Sequence, residues 1–504
     1  MPEPQPPVSG LRDRALAGAA RIAGATWLVR LLSVVTFVFV GRQLTPSAFG
    51  LVALANAFVL LLGIVTESGF ATYLVRSPSL DRRVFSTAFW TAAAVAVVLA
   101  GGLVAAAPLL ATAFSEPALA DVLRVLAAVV LINGLASAPA ALLRRELRFA
   151  QLATRSIVSS VVASVVAIAL AAVGAGVWAL VWQALVSALV SAVLVWLLSP
   201  WRPSMSFARA EVRPILTFGG QLLLTDLLLQ ARDRGEEFTL GLVGNATLLG
   251  QWSVASRIVK LGVDSATQVI NTVSTPALAR VQHDAARLHR GYAASMAAAG
   301  ALLFPTMGWL AITSTDLVPL VMGRQWASVA PVAAVIALTA CLGGFTYFDR
   351  SLFAIADRLA IEIALVVVIV VLHLIATVLF APFGLQALAL ALLGRTLITL
   401  PLRQWALHRW VGVPYTALLP ALRTLAAAGT AVAVAAGILM LVDRLGAGVW
   451  ARLGCSAGAL AVVYLVCMRL WARSTFDALM SVLRAARSRA AASGARVRRL
   501  RPRS

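Results

Sequence analysis

Charged residues are scarce in this chain of 504 residues, and that scarcity excludes an ordinary soluble domain. They make up 12% of the sequence, whereas soluble domains average about 25%. Lysine is almost missing, because Lys260 is the only lysine among 42 lysines and arginines. Nucleotide-binding and metalloprotease motifs such as GxxxxGK[ST] and HExxH are absent as well. We therefore predict neither an enzyme nor an ATP-driven pump.

Cysteine is also rare, and its placement argues against metal chemistry. Cys341, Cys455 and Cys467 have neither metal-ligand spacing nor a paired framework. All three fall in or beside apolar stretches, where a free cysteine is inert filler. The sequence therefore predicts no metal site and no resident cofactor.

Long apolar runs are what the sequence has instead. Hydrophobic residues make up 61% of the chain. Runs of about 20 residues, each long enough to cross the hydrocarbon core as a helix, recur from end to end. They predict an all-α polytopic membrane protein with about fourteen transmembrane helices. The predicted spans cover residues 22–41, 49–74, 84–112, 119–143, 152–173, 176–198, 214–242, 247–275, 293–313, 328–348, 359–380, 384–402, 420–442 and 449–468.

Arginines alternate between the connections of these spans, and this alternation predicts their orientation. Short cytoplasmic loops keep arginine, whereas exported loops lose it. The connections on one side carry only Arg42, Arg324 and Arg444 in total. We therefore predict a multi-pass cell-membrane protein with both termini in the cytoplasm. The connections with two or three arginines each are 76–83, 144–148, 202–213, 280–290, 350–358 and 403–409.

An internal repeat is indicated by a shift of about 200 residues. It lays 41-GRQLTPSAFGLVALA-55 over 241-GLVGNATLLGQWSVA-255 and matches Gly50 with Gly250. Both stretches form the first outside turn of a six-span set, as in transporters built from related bundles. We predict two pseudo-symmetric six-helix bundles followed by two appended C-terminal helices. The predicted bounds are a cytoplasmic segment 1–21, bundles 22–198 and 214–407, a linker 199–213, added helices 420–468 and a basic tail 469–504.

The net charge of +22 is concentrated at one end of the chain. Ten arginines lie between Arg469 and Arg503. A polybasic segment beside a final span is attracted to a negatively charged leaflet. We therefore predict anionic membrane lipid, and not nucleic acid, as the partner of this tail.

Polar residues inside four predicted spans recur at same-face helical intervals. In span 8, Lys260 and Asp264 are also close enough to pair. A charge at bilayer depth costs at least about 2.5 kcal/mol, so such residues face protein or water. We predict that they line one hydrated lumen; the alternative is that they lock helices together as local pairs. The four sets are Thr26, Arg30 and Ser33; Asn56, Gly63 and Glu67; Asp226, Gln230, Asp233 and Glu237, with Arg234 beside them and Arg232 placed to meet Glu236; and Arg257, Lys260, Asp264, Gln268 and Asn271.

Six short segments between Trp27 and Asp357 carry a family resemblance. They are 44-LTPSAFG-50, 142-LLRRELRFAQLA-153, 174-GAGVWALVWQALVSALV-190, 198-LSPWRP-203, 276-PALARVQHD-284 and 323-GRQWASVAPV-332. In this order they resemble the polysaccharide transport (Wzx-like) family of the multidrug/oligosaccharidyl-lipid/polysaccharide exporter superfamily. The resemblance implies fourteen helices, two pseudo-symmetric bundles and a cationic central cavity. The acid that the family places four residues before the glycine of span 7 is Glu237 here, before Gly241.

The resemblance also implies a function. It implies a flippase that moves an oligosaccharide on a polyprenyl diphosphate across the cytoplasmic membrane by alternating access, for cell-surface polysaccharide synthesis. Expected partners are this lipid-linked glycan, a polysaccharide polymerase and glycosyltransferases. Arginine suits phosphate oxygens, and carboxylates could take up H⁺ or Na⁺ to couple transport to a gradient. The candidates are Arg30, Arg232, Arg234, Arg257 and Lys260 for the diphosphate; Asn56, Gln230, Gln268 and Asn271 for sugar hydroxyls; and Glu67, Asp226, Asp233, Glu237 and Asp264 for ion coupling.

Three other functions compete with this interpretation. A cation-coupled drug antiporter and a peptidoglycan-precursor flippase belong to the same superfamily. An antiporter for cationic drugs needs a net acidic lumen, whereas basic and acidic candidates are balanced in this sequence. A multispan glycosyltransferase or ligase is the alternative from a different class. It needs acids or a base in an outer loop, and the first outside turn, 41–50, has none.

Overall fold

The computed structural model consists of helices and short connections in the residues that it describes. These residues are 8–76, 82–206, 208, 212, 217, 230, 234–280, 284–481 and 484, without the side chains of 8–23, 67–76, 82, 268–280 and 285. The first helices are α1 (Val8–Gln43), α2 (Pro46–Arg76), α3 (Arg82–Ala113), α4 (Ala118–Arg145), α5 (Phe149–Ala172), α6 (Trp178–Leu198) and α7 (residues 234–243). The next are α8 (Ala246–Arg280), α9 (Ala285–Met322), α10 (Ala330–Gly343), α11 (Asp349–Ile355), α12 (Leu359–Phe380), α13 (Leu385–Val411), α14 (Leu419–Arg444) and α15 (Val449–Trp471). Short 3₁₀ turns cover Arg324–Val329, Ala381–Phe383 and Tyr415–Leu418.

Within the described residues, twelve helices are long and apolar enough to span a membrane. They coincide with twelve of the fourteen predicted spans, so the chain is a multi-pass, all-α membrane protein as predicted. Most of predicted span 214–242 lies outside the described residues. Predicted span 247–275 falls in α8, a continuous helix of 35 residues whose polar stripe lowers its hydropathy.

Left-handed backbone residues recur at the same places in the two repeats. Ser115 and Gly323 both have positive φ, as do Leu147 and Asp357, with φ of 54° and 55°. Gly174 and Gly384 form a third pair. The partners lie 208, 210 and 210 residues apart, and each follows the end of a helix. Because positive φ is uncommon outside glycine, this recurrence supports the predicted repeat.

The chain divides into two compact units. Unit 1 comprises Met1–Ser253 with Val321–Gln325, and unit 2 comprises Val254–Leu320 with Trp326–Ser504. Unit 1 thus holds α1 to α7, the start of α8 and the end of α9. Unit 2 holds the rest of α8 and α9 and all later helices.

An aromatic cluster closes one end of unit 1. Trp201, only 6% exposed, follows α6 and stacks on Trp196 with ring centroids 6.3 Å apart. Its ring also lies 5.9 Å from that of Phe89 on α3. Next to it, the Trp90 indole donates a hydrogen bond to the Ser204 carbonyl oxygen at 3.0 Å. The chain after α6 is therefore fastened to α3.

A buried ion network joins four helices of unit 2. Arg403 on α13 donates from Nε to Asp349 on α11 at 3.0 Å, and from its terminal nitrogen to both oxygens of Glu362 on α12. The Tyr292 hydroxyl on α9 donates to the other oxygen of Asp349 at 2.8 Å. Asp349 is fully buried, and burial raises the pKa of its carboxyl while Arg403 and Tyr292 oppose that shift. The carboxylates therefore depend on Arg403 for their charge balance.

The last long helix, α15, is anchored to α9. The Trp309 indole donates to the Ser456 hydroxyl at 3.2 Å, and the Tyr464 hydroxyl to the Ala301 carbonyl oxygen at 2.8 Å. Arg452 on α15 forms an ion pair of 2.7 Å with Asp316 on α9. Helices α14 and α15, appended in the sequence, are thus packed into unit 2.

Close packing of α3 against α4 gives a stability prediction. A Cβ at Gly134 would lie 2.4 Å from the Cβ of Ala96, below any normal carbon contact. We expect Gly134→Ala to destabilise the protein by about 1–3 kcal/mol, the usual cost of overpacking. Gly102→Ala on α3, where a Cβ meets nothing, should be neutral or slightly stabilising. Thermal melting in detergent measures both, and equal melting temperatures would contradict the packing argument.

Candidate functional site

The polar stripe of α8 has a charged and open side. Arg257 and Lys260 are exposed, and Asp264 is half-buried. The stripe lies in unit 2, along a helix that spans bilayer length. Because a charge facing lipid is costly, we predict that these three side chains face water.

The opposite side of α8 is packed against protein. Val259 is 3% exposed and Ala266 is 8% exposed. Between them, a Cβ at Gly262 would lie 2.6 Å from the terminal methyl carbon of Met307 on α9, so the two helices touch closely. Packing on this face fixes the rotation of α8 and keeps Arg257 and Lys260 on the other face.

Lys260 and Asp264, close enough in sequence to pair, do not form an ion pair in the described residues. Their spacing permits an ion pair, yet none joins them in the described part of the chain, where the ion pairs around this position are Arg234–Glu237 and Arg287–Asp284. An exposed lysine gains little from an intrahelical pair, because water screens the attraction and ordering a long side chain costs entropy. Lys260 is therefore left available to a ligand.

A second charged group lies on α7, in unit 1. One terminal nitrogen of Arg234 donates to both carboxylate oxygens of Glu237 at 2.8 Å. Both side chains are about one-fifth exposed. Phe238 packs on Phe58 of α2, with ring centroids 4.6 Å apart, and holds this helix in place. The sequence indication that this cluster neutralises part of its own charge is confirmed for this pair.

The stripes of α1 and α2 are only partly exposed. Arg30 is half-buried, and its guanidinium lies 5.9 Å from the centroid of the Trp27 ring. Thr26 and Ser33, on the same face, also have interaction partners. Asn56 on α2 is half-buried. Thr26, Arg30 and Ser33 occupy one face of α1, as their spacing predicts.

For the other candidates, the residue or its side chain lies outside the described part of the chain, except for Gln230. Gln230 is helical and half-buried. Convergence of the four stripes on one lumen stays a prediction. The candidates that lie outside the described residues or side chains are Glu67, Asp226, Arg232, Asp233, Gln268 and Asn271.

Sequence reasoning missed the buried network around Arg403. It placed Arg403 in a cytoplasmic connection, 403–409, and this assignment is wrong, because α13 continues to Val411 and the side chain is 11% exposed. Asp349 and Glu362 lie 54 and 41 residues before Arg403, far outside the reach of one helix. Nothing in the local pattern shows that Asp349 and Glu362 would meet it.

These features define a class of protein. Repeated helical bundles in a membrane, with charged side chains along a helix of bilayer-spanning length, are the architecture of a secondary transporter.

The family follows from the sequence itself. Residues 39–331 match the polysaccharide biosynthesis protein family, and the chain belongs to it.

Two named relatives are similar over most of the chain. The lipopolysaccharide biosynthesis protein WzxC of Escherichia coli (strain K12) is 22% identical over 334 residues, which cover 66% of this chain and 68% of WzxC. The succinoglycan biosynthesis transport protein ExoT of Rhizobium meliloti (strain 1021) is 26% identical over 308 residues, which cover 61% of this chain and 62% of ExoT.

The fold resembles that of a solved flippase. The structure of the lipid II flippase MurJ in an inward closed conformation aligns with a TM-score of 0.73 and 12% identity, covering 90% of this chain and 99% of MurJ. At this identity the likeness establishes the fold alone. It confirms the expected all-helical fold.

Proposed function

We propose that this protein is a flippase for polyprenyl-diphosphate-linked oligosaccharide. It moves this precursor across the cytoplasmic membrane by alternating access during synthesis of a cell-surface polysaccharide. Membership of the polysaccharide biosynthesis family supports the pathway, and the name of ExoT supports transport over glycosyl transfer. The observation that carries the proposal is the exposed pair Arg257 and Lys260 on a helix whose other face is packed.

The headgroup of this substrate matches the chemistry of α8. A diphosphate offers several charged oxygens, and arginine presents planar donors that fit them two at a time. Arg257 and Lys260 are one helical turn apart and on one face, so they can bind adjacent phosphates. The polyprenyl tail stays in the bilayer while the headgroup crosses in water. Both cations therefore act on the diphosphate that links the lipid to the glycan.

The Arg234–Glu237 pair provides a second, switchable cation. An incoming phosphate competes with Glu237 for Arg234, because both are anions that accept from the same guanidinium. Glu237 released in this way, or Asp264 on α8, is where a proton or Na⁺ would enter the cycle. The acids also offset the positive charge of the empty site.

The remaining assignments follow from the arginine pattern and the pathway. Both termini lie in the cytoplasm, and the tail 469–504 contacts anionic lipid. Glycosyltransferases supply the cargo on the inner leaflet, and a polymerase consumes it on the outer leaflet.

Replacing either cation of α8 tests the proposal. We expect Arg257→Ala and Lys260→Ala each to lower outward delivery of the lipid-linked glycan about tenfold or more, because a hydrogen bond to a charged group contributes about 1.5–3 kcal/mol. Delivery is measured in the producing cell as glycan accessible to an impermeant lectin or periodic acid. Lys260→Arg keeps the charge and should retain most activity, and protein levels in the membrane should match for all variants.

Normal delivery by both alanine variants would refute the phosphate role. Three further assays separate the alternative functions. Resistance to cationic drugs that depends on the protein would favour an antiporter. Translocation of the peptidoglycan precursor would favour the related flippase, and sugar transfer by the purified protein would favour an enzyme.

A further inference from the structure

Four connections that the arginine pattern places outside meet within unit 1. Three of them join α1 to α2, α3 to α4 and α7 to α8. The fourth is the connection that follows α9. Residues 234–253 and 321–325 belong to the second repeat by sequence, yet they cluster with the first. Ends of both repeats are therefore held together on one side of the protein.

The centre of this cluster is a close and symmetric crossing of α2 and α8. A Cβ at Gly50 would lie 1.7 Å from the Ala246 carbonyl oxygen, and a Cβ at Gly250 would lie 1.7 Å from the Pro46 carbonyl oxygen. Each Cβ would also lie 2.8 Å from the amide nitrogen of the opposite glycine. Backbone touches backbone, so only glycine fits at either position. The two glycines are the pair that the 200-residue shift aligns.

Hydrogen bonds beside the crossing join the end of α1 to the end of α9, with donors on both sides. Arg42 at the end of α1 donates to the Val321 carbonyl oxygen at the end of α9, at 2.9 Å. Gln325 donates in return to the carbonyl oxygens of Gly41 and Leu44, at 2.9 and 3.0 Å. Carbonyls at helix ends lack intrahelical donors, and water satisfies them equally well. These contacts can therefore open and close at low cost.

The crossing lies outward of the polar stripes. Asn56 follows Gly50 by six residues on α2, and Arg257 follows Gly250 by seven on α8. At about 1.5 Å per residue, the first polar side chain of each stripe lies roughly 10 Å inward of the crossing. Leu54 and Leu249, beside the crossing, are at most 2% exposed. In this state the crossing excludes water from the outer side.

We propose that the Gly50–Gly250 crossing, with Arg42 and Gln325, is the outer gate of the transporter. This inference rests on the proposed function, because alternating access requires the ends of the two repeats to part once per cycle. Two glycine backbones pack tightly when the crossing is closed, and they expose little apolar surface when it is open. Water can replace the hydrogen bonds around the crossing when it opens. Glycines also form stable helix–helix joints in membranes, so two experiments distinguish a gate from a permanent joint.

A labelling experiment tests whether the crossing opens. The native Cys341, Cys455 and Cys467 are first replaced by alanine, and Leu54→Cys is introduced as the probe, one turn inward of Gly50. Intact cells receive a membrane-impermeant maleimide. Gly250→Val cannot close the crossing, so we expect it to raise the labelling rate at position 54 about tenfold. Gly102→Val is the matched control, because a Cβ there meets nothing, and it should leave the rate unchanged.

A locking experiment tests whether opening is needed. Arg42→Cys and Val321→Cys, bridged by a cleavable bifunctional thiol reagent, should stop glycan delivery until the bridge is reduced. Delivery by the unbridged double variant, which lacks the Arg42 hydrogen bond, is the reference against which the bridged protein is compared. Undiminished delivery by the bridged protein would overturn the proposal.

Two results of the labelling experiment would also overturn it. One is an unchanged labelling rate in folded Gly250→Val protein. The other is loss of folded Gly250→Val protein from the membrane, which would make the crossing a permanent joint. Labelling needs no cargo. If the crossing opens but the protein delivers no glycan, the proposed function is rejected and the gate is retained.

Discussion

Arg403→Met is expected to lower the free energy of unfolding by about 3–5 kcal/mol, the cost of removing one partner from a buried ion network. Arg403 is the only cation bonded to Asp349 and Glu362 in the described residues, and those side chains are 0% and 8% exposed. Without it, both carboxylates stay buried and repel each other, or one must take up a proton. Unfolding in mixed detergent and SDS measures the change.

Two further variants locate the cause of that loss. Arg124→Met removes an exposed pair with Asp121 and should cost about 0–1 kcal/mol. Adding Asp349→Asn and Glu362→Gln to Arg403→Met removes the unpaired charges and should recover part of the stability. If the triple variant loses as much stability as the three single variants added together, charge imbalance is not the reason for the loss in Arg403→Met.

Trp201→Ala is expected to destabilise the protein by about 3 kcal/mol, near the low end for removing a large buried aromatic side chain. The indole packs against Phe85, Phe89 and Trp196, and its loss leaves a cavity where the chain leaves α6. The Trp90–Ser204 hydrogen bond depends on the same docking. The thermal midpoint of the purified protein in detergent reports the effect.

Trp201→Phe separates packing from hydrogen bonding. The indole nitrogen of Trp201 is buried and has no hydrogen-bond partner, so losing its N–H should cost little. We expect Trp201→Phe to destabilise the protein by less than half as much as Trp201→Ala. Equal losses for both would show that the cluster is not held by ring packing.

The spans, the class of protein and the repeat were predictable from the sequence because their signals are local. An apolar run of about 20 residues has few stable structures other than a membrane helix. Gly50 and Gly250 stood out because both follow a polar turn at the same place in a repeat. The Arg234–Glu237 pair was also within reach, because residues three apart share one helix face.

Which charged side chains pair was not predictable, and Lys260 and Arg403 show why. Lys260 and Asp264 have the right spacing, yet helix geometry only permits a pair and does not impose it. Arg403 is one of many arginines near a helix end, and only its packing beside Asp349 and Glu362 distinguishes it.

The sequence by itself determined that this is a helical membrane protein with an internal repeat, because hydrophobicity and turn chemistry act over short stretches of chain. Only the tertiary structure decided which charges neutralise each other, which face of α8 stays open and where the two repeats touch. Those outcomes depend on distances between residues far apart in the chain. Gly50 and Gly250 are 200 positions apart, and only the folded backbone shows that a single Cβ at either would prevent the contact.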